Sequence, residues 1–182
     1  MEIRVITTRY LAETTLNLLA AEEVFLRGLN GTRSSRQYRE YDIQFLLWRE
    51  LVALGYDAWM EEKKIDIAIR DGSTLAEAIE IKGPWRASDV CSQSGRIDEV
   101  AKDYKKHLKL LTAGRTSCFG VWILHGADES TISQAFGILL DTALPGNGIW
   151  VEPFISQTMV LNRHPKSKSR VQSVCAAQVR LI

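Results

Sequence analysis

IDIAIRDGSTLAEAIEIK, residues Ile65 to Lys82, is the stretch that decides the fold. It contains two short runs in which apolar and other residues alternate, a pattern typical of β-strands. The pair Gly72-Ser73 separates the runs, and such a pair favours a tight turn. The stretch therefore predicts a β-hairpin.

The alternation also predicts which side chains lie together. Side chains on a strand point alternately to its two faces, so Glu80 and Lys82 share one face while Ile79 and Ile81 occupy the other. Asp66 stands at the head of the first run, and pairing of the runs around the turn places it next to Glu80. We expect two carboxylates and one ammonium group to converge on the polar face.

This trio has the chemistry of a metal-dependent phosphodiesterase site. Mg²⁺ prefers hard oxygen ligands and is commonly held by one or two carboxylates, which Asp66 and Glu80 supply. Phosphodiester hydrolysis also needs an activated water and stabilisation of the charge that develops on the phosphate, and Lys82 lies where it can assist. We expect Mg²⁺ as the cofactor, with Mn²⁺ as a substitute.

At these residues the sequence resembles the PD-(D/E)XK nuclease superfamily, which has the restriction-endonuclease-like fold. That family carries a helix with an acidic residue, strands bearing an aspartate and an (E/D)-x-K pair, and then a further helix and strand. The chain matches this order from Tyr38 to His125. The resemblance implies an α/β fold with a three-layer α/β/α core and a mixed sheet.

The resemblance also implies roles for individual residues. Asp66 and Glu80 would hold the metal together with the Ile81 carbonyl, and Lys82 would polarise the attacking water or the phosphate. The expected activity is that of a magnesium-dependent endodeoxyribonuclease, a hydrolase of phosphodiester bonds in nucleic acid. The alternative is an inactive scaffold of the same fold that binds nucleic acid or a protein, with the acids and the lysine serving as an ion-pair network.

The family's helical acid is assigned from the helix predicted over Gln37 to Leu54. Its expected inward stripe is Tyr41, Phe45, Trp48 and Val52, extended by Leu47, Leu51 and Leu54. Glu40 falls nearly opposite the expected solvent side, where a carboxylate needs a partner, and is the first choice. Glu50 is the second choice, and a surface salt bridge is the alternative for both.

Segments on either side of this core predict additional elements. We expect one domain, with an extra N-terminal helix in residues 1–31, a core in 37–144 and a C-terminal β extension in 146–182. The helices outside the hairpin are expected at 8–29, 96–112 and 130–144, and strands at 56–61, 118–126, 148–156, 157–163 and 171–182. The segment 83–96 is expected to be an irregular, substrate-facing loop, or else a plain connector.

Basic residues outside the acid cluster are candidates for contacts with phosphate groups. Each lies in a loop or on a helix flank, where a merely solvated charge is the alternative. The candidates are Arg33, Arg36, Arg86, Lys105, Arg163, Lys166, Lys168 and Arg170.

Composition sets outer limits on function. The chain has 182 residues, of which 46% are hydrophobic, and a formal net charge of +1, so nucleic-acid binding must depend on local basic patches. Its three cysteines are widely spaced, which disfavours a disulfide framework or a zinc site. We expect a cytoplasmic protein that binds DNA in preference to RNA and has no membrane partner. The oligomeric state is left open, with a homodimer through the N-terminal helix as one arrangement.

Overall fold

The hairpin is present, and it forms one part of a larger mixed sheet. A computed structural model describes residues 5–30, 40–62, 64–92, 94–111, 117–141, 148–160 and 170–181. The strands in these ranges are β1 (Asp57–Glu62), β2 (Ile65–Asp71), β3 (Thr74–Arg86), β4 (Ser117–Gly126), β5 (Gly148–Val160) and β6 (Arg170–Leu181). The helices are α1 (Thr8–Asn30), α2 (Glu40–Ala53), α3 (Ala87–Ser92), α4 (Ser94–Leu111) and α5 (Glu129–Leu140).

The six described strands lie in the order β1-β2-β3-β4-β6-β5. Only β3 and β4 run parallel, and the chain crosses between them through α3 and α4, as a parallel pair requires. All the other neighbouring pairs are antiparallel. The described chain is therefore an α/β protein with one mixed sheet.

Helices cover both faces of this sheet. On one face α1 and α2 pack over the apolar side chains of the central strands, among them Ile67, Ile79 and Val121. On the other face α3, α4 and α5 pack over a second cluster that includes Ala78 and Trp122. No described helix combines the length and the apolar composition needed to cross a membrane.

The predicted C-terminal extension is instead part of the main sheet. β6 lies between β4 and β5, and its side chains Val174 and Ala176 belong to the cluster beneath α1. The N-terminal helix also contributes to this core, since Leu11 and Leu16 are buried. Neither segment is an addition to a core that is complete without it.

The described part of the two strands predicted over residues 148–163 forms the single strand β5 (Gly148–Val160), and residues 161–163 lie outside the described residues. The register shifts between Val151 and Phe154, where Glu152 has a positive φ of 52° and Pro153 follows. Proline has no N–H to donate, and it is tolerated here because β5 is an edge strand. The bulge therefore lies within one strand, and the break predicted between Ser156 and Gln157 was wrong, because every residue from Phe154 to Val160 pairs with β6.

The orientation predicted for α2 was wrong for its main stripe but correct for Leu47 and Leu51, which are buried. Its buried residues are Ile43, Gln44, Leu46, Leu47 and Leu51. The expected inward stripe is largely exposed, at 59% for Tyr41 and 43% for both Phe45 and Val52. With Trp48, Tyr56 and Trp59 these side chains line an open groove of about 510 Å³ between α2 and β1.

The segment after Lys82 is also more regular than expected. β3 continues to Arg86 and is followed directly by α3 and then α4. Trp85 is buried in the core, with the Arg96 guanidinium 5.1 Å from its ring centroid. The interpretation of 83–96 as an irregular loop was wrong, and Trp85 has a packing role.

α5 begins and ends close to its predicted position. Asp128 is its N-cap, and the Asp128 carboxylate accepts hydrogen bonds from the N–H and the hydroxyl of Thr131. These bonds hold the Asp128 pKa below its ordinary value. The described helix ends at Leu140, and residues 142–144 of the predicted helix lie outside the described residues.

Candidate functional site

Asp66 lies just beyond the end of the backbone pairing between β2 and β3, where its side chain accepts a hydrogen bond from β3. The last paired residues at this end are Ile67 and Ile79. Beyond this pair, the Ile81 N–H donates to Asp66 Oδ2 at 2.7 Å. The Asp66 carboxylate thus takes the place of a backbone acceptor, which fixes its position against β3.

Glu80 meets Asp66 on the same face of the sheet, as the alternation predicted. Both side chains are buried, with 8% of Asp66 and 5% of Glu80 exposed, and the two carboxyl groups are hydrogen-bonded to each other. Burial, followed by the Glu80 charge, raises the Asp66 pKa to about 7, against the opposing effects of the Ile81 N–H and Lys82. Two carboxyl groups in such contact carry a shared proton or require a cation.

Glu40 joins the pair from the first turn of α2. The Lys82 ammonium lies 3.2 Å from Glu40 Oε1, and the Gly83 N–H donates to Glu40 Oε2 at 3.4 Å. Burial raises the Glu40 pKa, and the nearby Lys82 charge opposes this rise. Glu40 therefore has a partner in Lys82, and 36% of its side chain is exposed. The second choice, Glu50, lies ten residues further along the helix, about 15 Å away at 1.5 Å per residue.

Gly83 allows β3 to approach β4 closely just beyond Lys82. Its φ is +120°, a conformation that side chains rarely adopt, and a Cβ there would lie 2.5 Å from the Ile123 carbonyl oxygen. A glycine at this position is therefore needed for both conformation and space. It also leaves its own N–H free to reach Glu40.

The site is bounded on the β4 side by Cys118, Gly120 and Trp122. Gly120 is the partner of Glu80 in the parallel ladder, and Trp122 is the partner of Lys82. Burial, with a contribution from the Glu80 charge, raises the Cys118 pKa to about 12, so this thiol stays protonated. Sequence reasoning missed these residues because it treated the β4 run only as a buried strand.

Two further carboxyl groups near the hairpin lie outside the cluster. Glu62 forms an ion pair with Arg70, so it is already committed to a structural partner. Glu77 also lies on β3, but it projects from the opposite face to Glu80 because their positions differ by an odd number, three. Burial alone raises the Glu77 pKa to about 7, and its Oε2 has no hydrogen-bond partner among the described residues.

The structure tests few of the predicted phosphate contacts. Arg86 is exposed at the end of β3, opposite His125 of β4. Lys105 lies in α4 and Arg170 at the start of β6, but their side chains lie outside what the structure describes. The other candidates also lie outside the described residues, namely Arg33, Arg36, Arg163, Lys166 and Lys168.

The acids meet the requirements of a metal site only in part. Within the described ranges, no group of three or more histidine, cysteine, aspartate or glutamate side chains is arranged to hold a metal ion. Asp66 and Glu80 supply two carboxylates, and a third protein ligand would have to come from the backbone, as the Ile81 carbonyl would. The cluster therefore brings two buried carboxyls, a third carboxyl and an ammonium group to one place in the sheet.

Comparisons with known proteins leave the chain without a family assignment. No protein-family model matches it, and no curated protein is significantly similar in sequence.

Proposed function

We propose that the protein is a metal-dependent nuclease with a restriction-endonuclease-like fold. The observation that carries the proposal is the contact between the buried Asp66 and Glu80 carboxyls, beside a Lys82 ammonium that is 3.2 Å from Glu40. Four residues separated by up to 42 positions in sequence meet at one point of the sheet. The order of their elements agrees with the PD-(D/E)XK pattern.

The donor set fits a hard divalent cation such as Mg²⁺ or Mn²⁺. Two carboxyls held together in a buried place disfavour joint ionisation, as the raised Asp66 pKa indicates. A bound divalent cation would supply charge to offset both carboxylates and to polarise a phosphate oxygen. Asp66 and Glu80 would hold it, with the Ile81 carbonyl as a third ligand.

Lys82 and Glu40 have separate tasks in this proposal. The Lys82 ammonium would bind a phosphate oxygen or orient the attacking water, because it projects from the same face as Glu80. Glu40, which is more exposed than the other two carboxyls, would hold Lys82 in place through their ion pair. The Lys82 side chain is 16% exposed in this pair.

DNA is the proposed polymer, and RNA is the second choice. The exposed Arg86 at the end of β3 is a described cation on the site strand that could contact a phosphate. The basic loop around Arg163 to Arg170 is a further candidate from the sequence. Both groups would bind backbone rather than bases, and so would set affinity without choosing a sequence.

A cleavage assay tests the proposal with a matched pair of variants. Supercoiled plasmid and single-stranded RNA are incubated with Mg²⁺, Mn²⁺ or EDTA. We expect metal-dependent nicking of the plasmid by the wild type and a loss of about 100-fold or more in Lys82→Ala, because one group that stabilises the transition state is removed. Lys102→Ala removes an exposed lysine of α4 and should cleave at the wild-type rate.

Two results would contradict the proposal. Full activity in a purified Lys82→Ala sample would show that the cluster is not the source of cleavage. No metal-dependent cleavage of either polymer, together with no Mn²⁺ binding by calorimetry in the wild type, would favour the inactive scaffold, whose acids and lysine serve as an ion-pair network.

A further inference from the structure

The indole of Trp122 occupies the space that a side chain at position 120 would fill. A Cβ on Gly120 would lie 2.5 Å from Trp122 Cη2 and 2.7 Å from Cζ2, closer than real Cβ contacts. The ring therefore folds back along β4 over Gly120. Because Gly120 has no left-handed φ, this glycine is required for space and not for its conformation.

That space adjoins Glu80 directly. Gly120 and Glu80 are partners in the parallel ladder, and side chains of partner residues project from the same face about 5 Å apart. The ring thus lies beside Glu80 on the β4 side. Cys118, the previous residue on that face of β4, lies close enough for the Glu80 charge to contribute to the raised pKa of its thiol.

Other aromatic residues hold the Trp122 ring in this position. Trp150 meets it edge-on with 4.9 Å between ring centroids, and Phe136 lies 5.8 Å away in a tilted arrangement. Only 2% of Trp122 is exposed. A buried ring packed by two others has one available orientation, since close-packed interiors leave little room for movement.

We propose that Trp122 is a positioning residue for Glu80. Its ring closes the β4 side of Glu80, so that the carboxyl turns toward β2 and stays against Asp66. Gly120 contributes to the same positioning, because any larger residue there would displace the Trp122 ring. The inference rests on the proposed function, since the value of a fixed Asp66–Glu80 pair is the metal it would hold.

The test combines two variants with one control. Trp122→Leu removes the indole ring. Gly120→Ala adds a Cβ that would displace the ring, and this variant provides the test if Trp122→Leu does not fold. Phe136→Leu disturbs the same aromatic cluster from α5 and is the control. Mn²⁺ affinity is measured by electron paramagnetic resonance, and kcat and KM on plasmid are measured in parallel.

We expect Mn²⁺ affinity and kcat to fall about 10-fold or more in both test variants, as happens when residues that support metal ligands are changed. KM for plasmid should stay constant, since phosphate contacts are untouched. Phe136→Leu should lose stability but keep wild-type affinity and kcat. Wild-type values for both quantities in folded Trp122→Leu or Gly120→Ala would overturn the proposal.

Crystal structures of the variants separate this inference from the nuclease proposal. Loss of the Asp66–Glu80 contact in Trp122→Leu or Gly120→Ala would support the positioning role even if the wild type neither binds metal nor cleaves. An unchanged contact in both variants would overturn that role even if the wild type is an active nuclease.

Discussion

Glu77 and Glu80 lie only three residues apart on β3, yet their carboxyl groups have different surroundings. Glu80 faces Asp66 and contributes to the candidate site. Glu77 faces the side of the sheet covered by α1 and α2, where burial alone raises its pKa. The candidate site and a buried acid on the opposite face thus result from the same period-two alternation.

Glu77 gives a prediction about pH. Its pKa is about 7 in the folded chain and 4.5 as the ordinary value, so the folded state binds the proton more tightly. The resulting contribution to stability is full below pH 4.5 and is lost as pH rises to about 7. We expect Glu77→Gln to raise the free energy of unfolding by about 2 kcal/mol at pH 8 and to leave it nearly unchanged at pH 4.

Urea denaturation at the two pH values measures this difference. The Asp66–Glu80 pair is intact in wild type and variant, so its own titration cancels in the comparison. Glu61→Gln, at an exposed position on β1, is the control and should change stability equally little at both pH values. An equal effect of Glu77→Gln at pH 4 and pH 8 would contradict the burial of this carboxyl.

Sequence alone predicted the residues of the cluster but not the residues that surround them and hold them in place. The faces of Asp66, Glu80 and Lys82 follow from strand geometry, which depends only on local order. The Gly83 N–H bond to Glu40 and the placement of the Trp122 ring depend on pairing between segments about 40 residues apart. No local pattern contains that information.

At the scale of elements, α2 shows why a helical pattern can mislead. Large apolar residues occur on nearly every side of it, including the exposed Tyr41 and Phe45 and the buried Ile43 and Leu47. A helix of this kind has only a weak amphipathic signal, so the sequence does not specify which stripe faces the core. Packing on the sheet buries the side that contains Ile43 and Leu47, and it leaves Tyr41 and Phe45 exposed.

This orientation predicts opposite results for two neighbouring substitutions. Leu47→Ala should lower the free energy of unfolding by about 3 kcal/mol, because Leu47 is fully buried and the change leaves a cavity. Phe45→Ser should cost less than about 1 kcal/mol, because Phe45 is 43% exposed. Urea denaturation of both variants is the measurement, and a larger loss for Phe45→Ser would restore the orientation predicted from the sequence.

For the whole molecule, the order of strands differs most from what the sequence indicates. The pattern of strands and helices was largely predictable, since each element has its own local periodicity. The insertion of β6 between β4 and β5 was not, because strand order depends on long-range pairing. The last described strand is therefore an interior strand, and the element predicted as an extension completes the core.

A truncated chain tests this placement. Removal of residues 148–182 would expose the edge of β4 and the apolar side chains that pack on Val174 and Cys175. We expect the truncated chain to lack a cooperative urea transition and the near-ultraviolet circular dichroism of packed aromatic rings. Addition of the 148–182 segment as a separate peptide should restore both signals.

A cooperative transition in the truncated chain by itself would show that residues 1–147 form an independent unit. In that case the C-terminal strands would be an extension after all.

The two outer edges of the sheet are not equivalent. On β5, Pro153 lacks an N–H and the bulge at Glu152 bends the strand, features that keep further strands from pairing. No proline lies in β1, and among the described residues no strand pairs with its outer side. Any growth of the sheet by strand addition would therefore proceed through β1 alone. A molecule with one such edge can join one copy of itself edge to edge, and the joined sheet then ends in two β5 edges, whose proline and bulge disfavour growth of a filament.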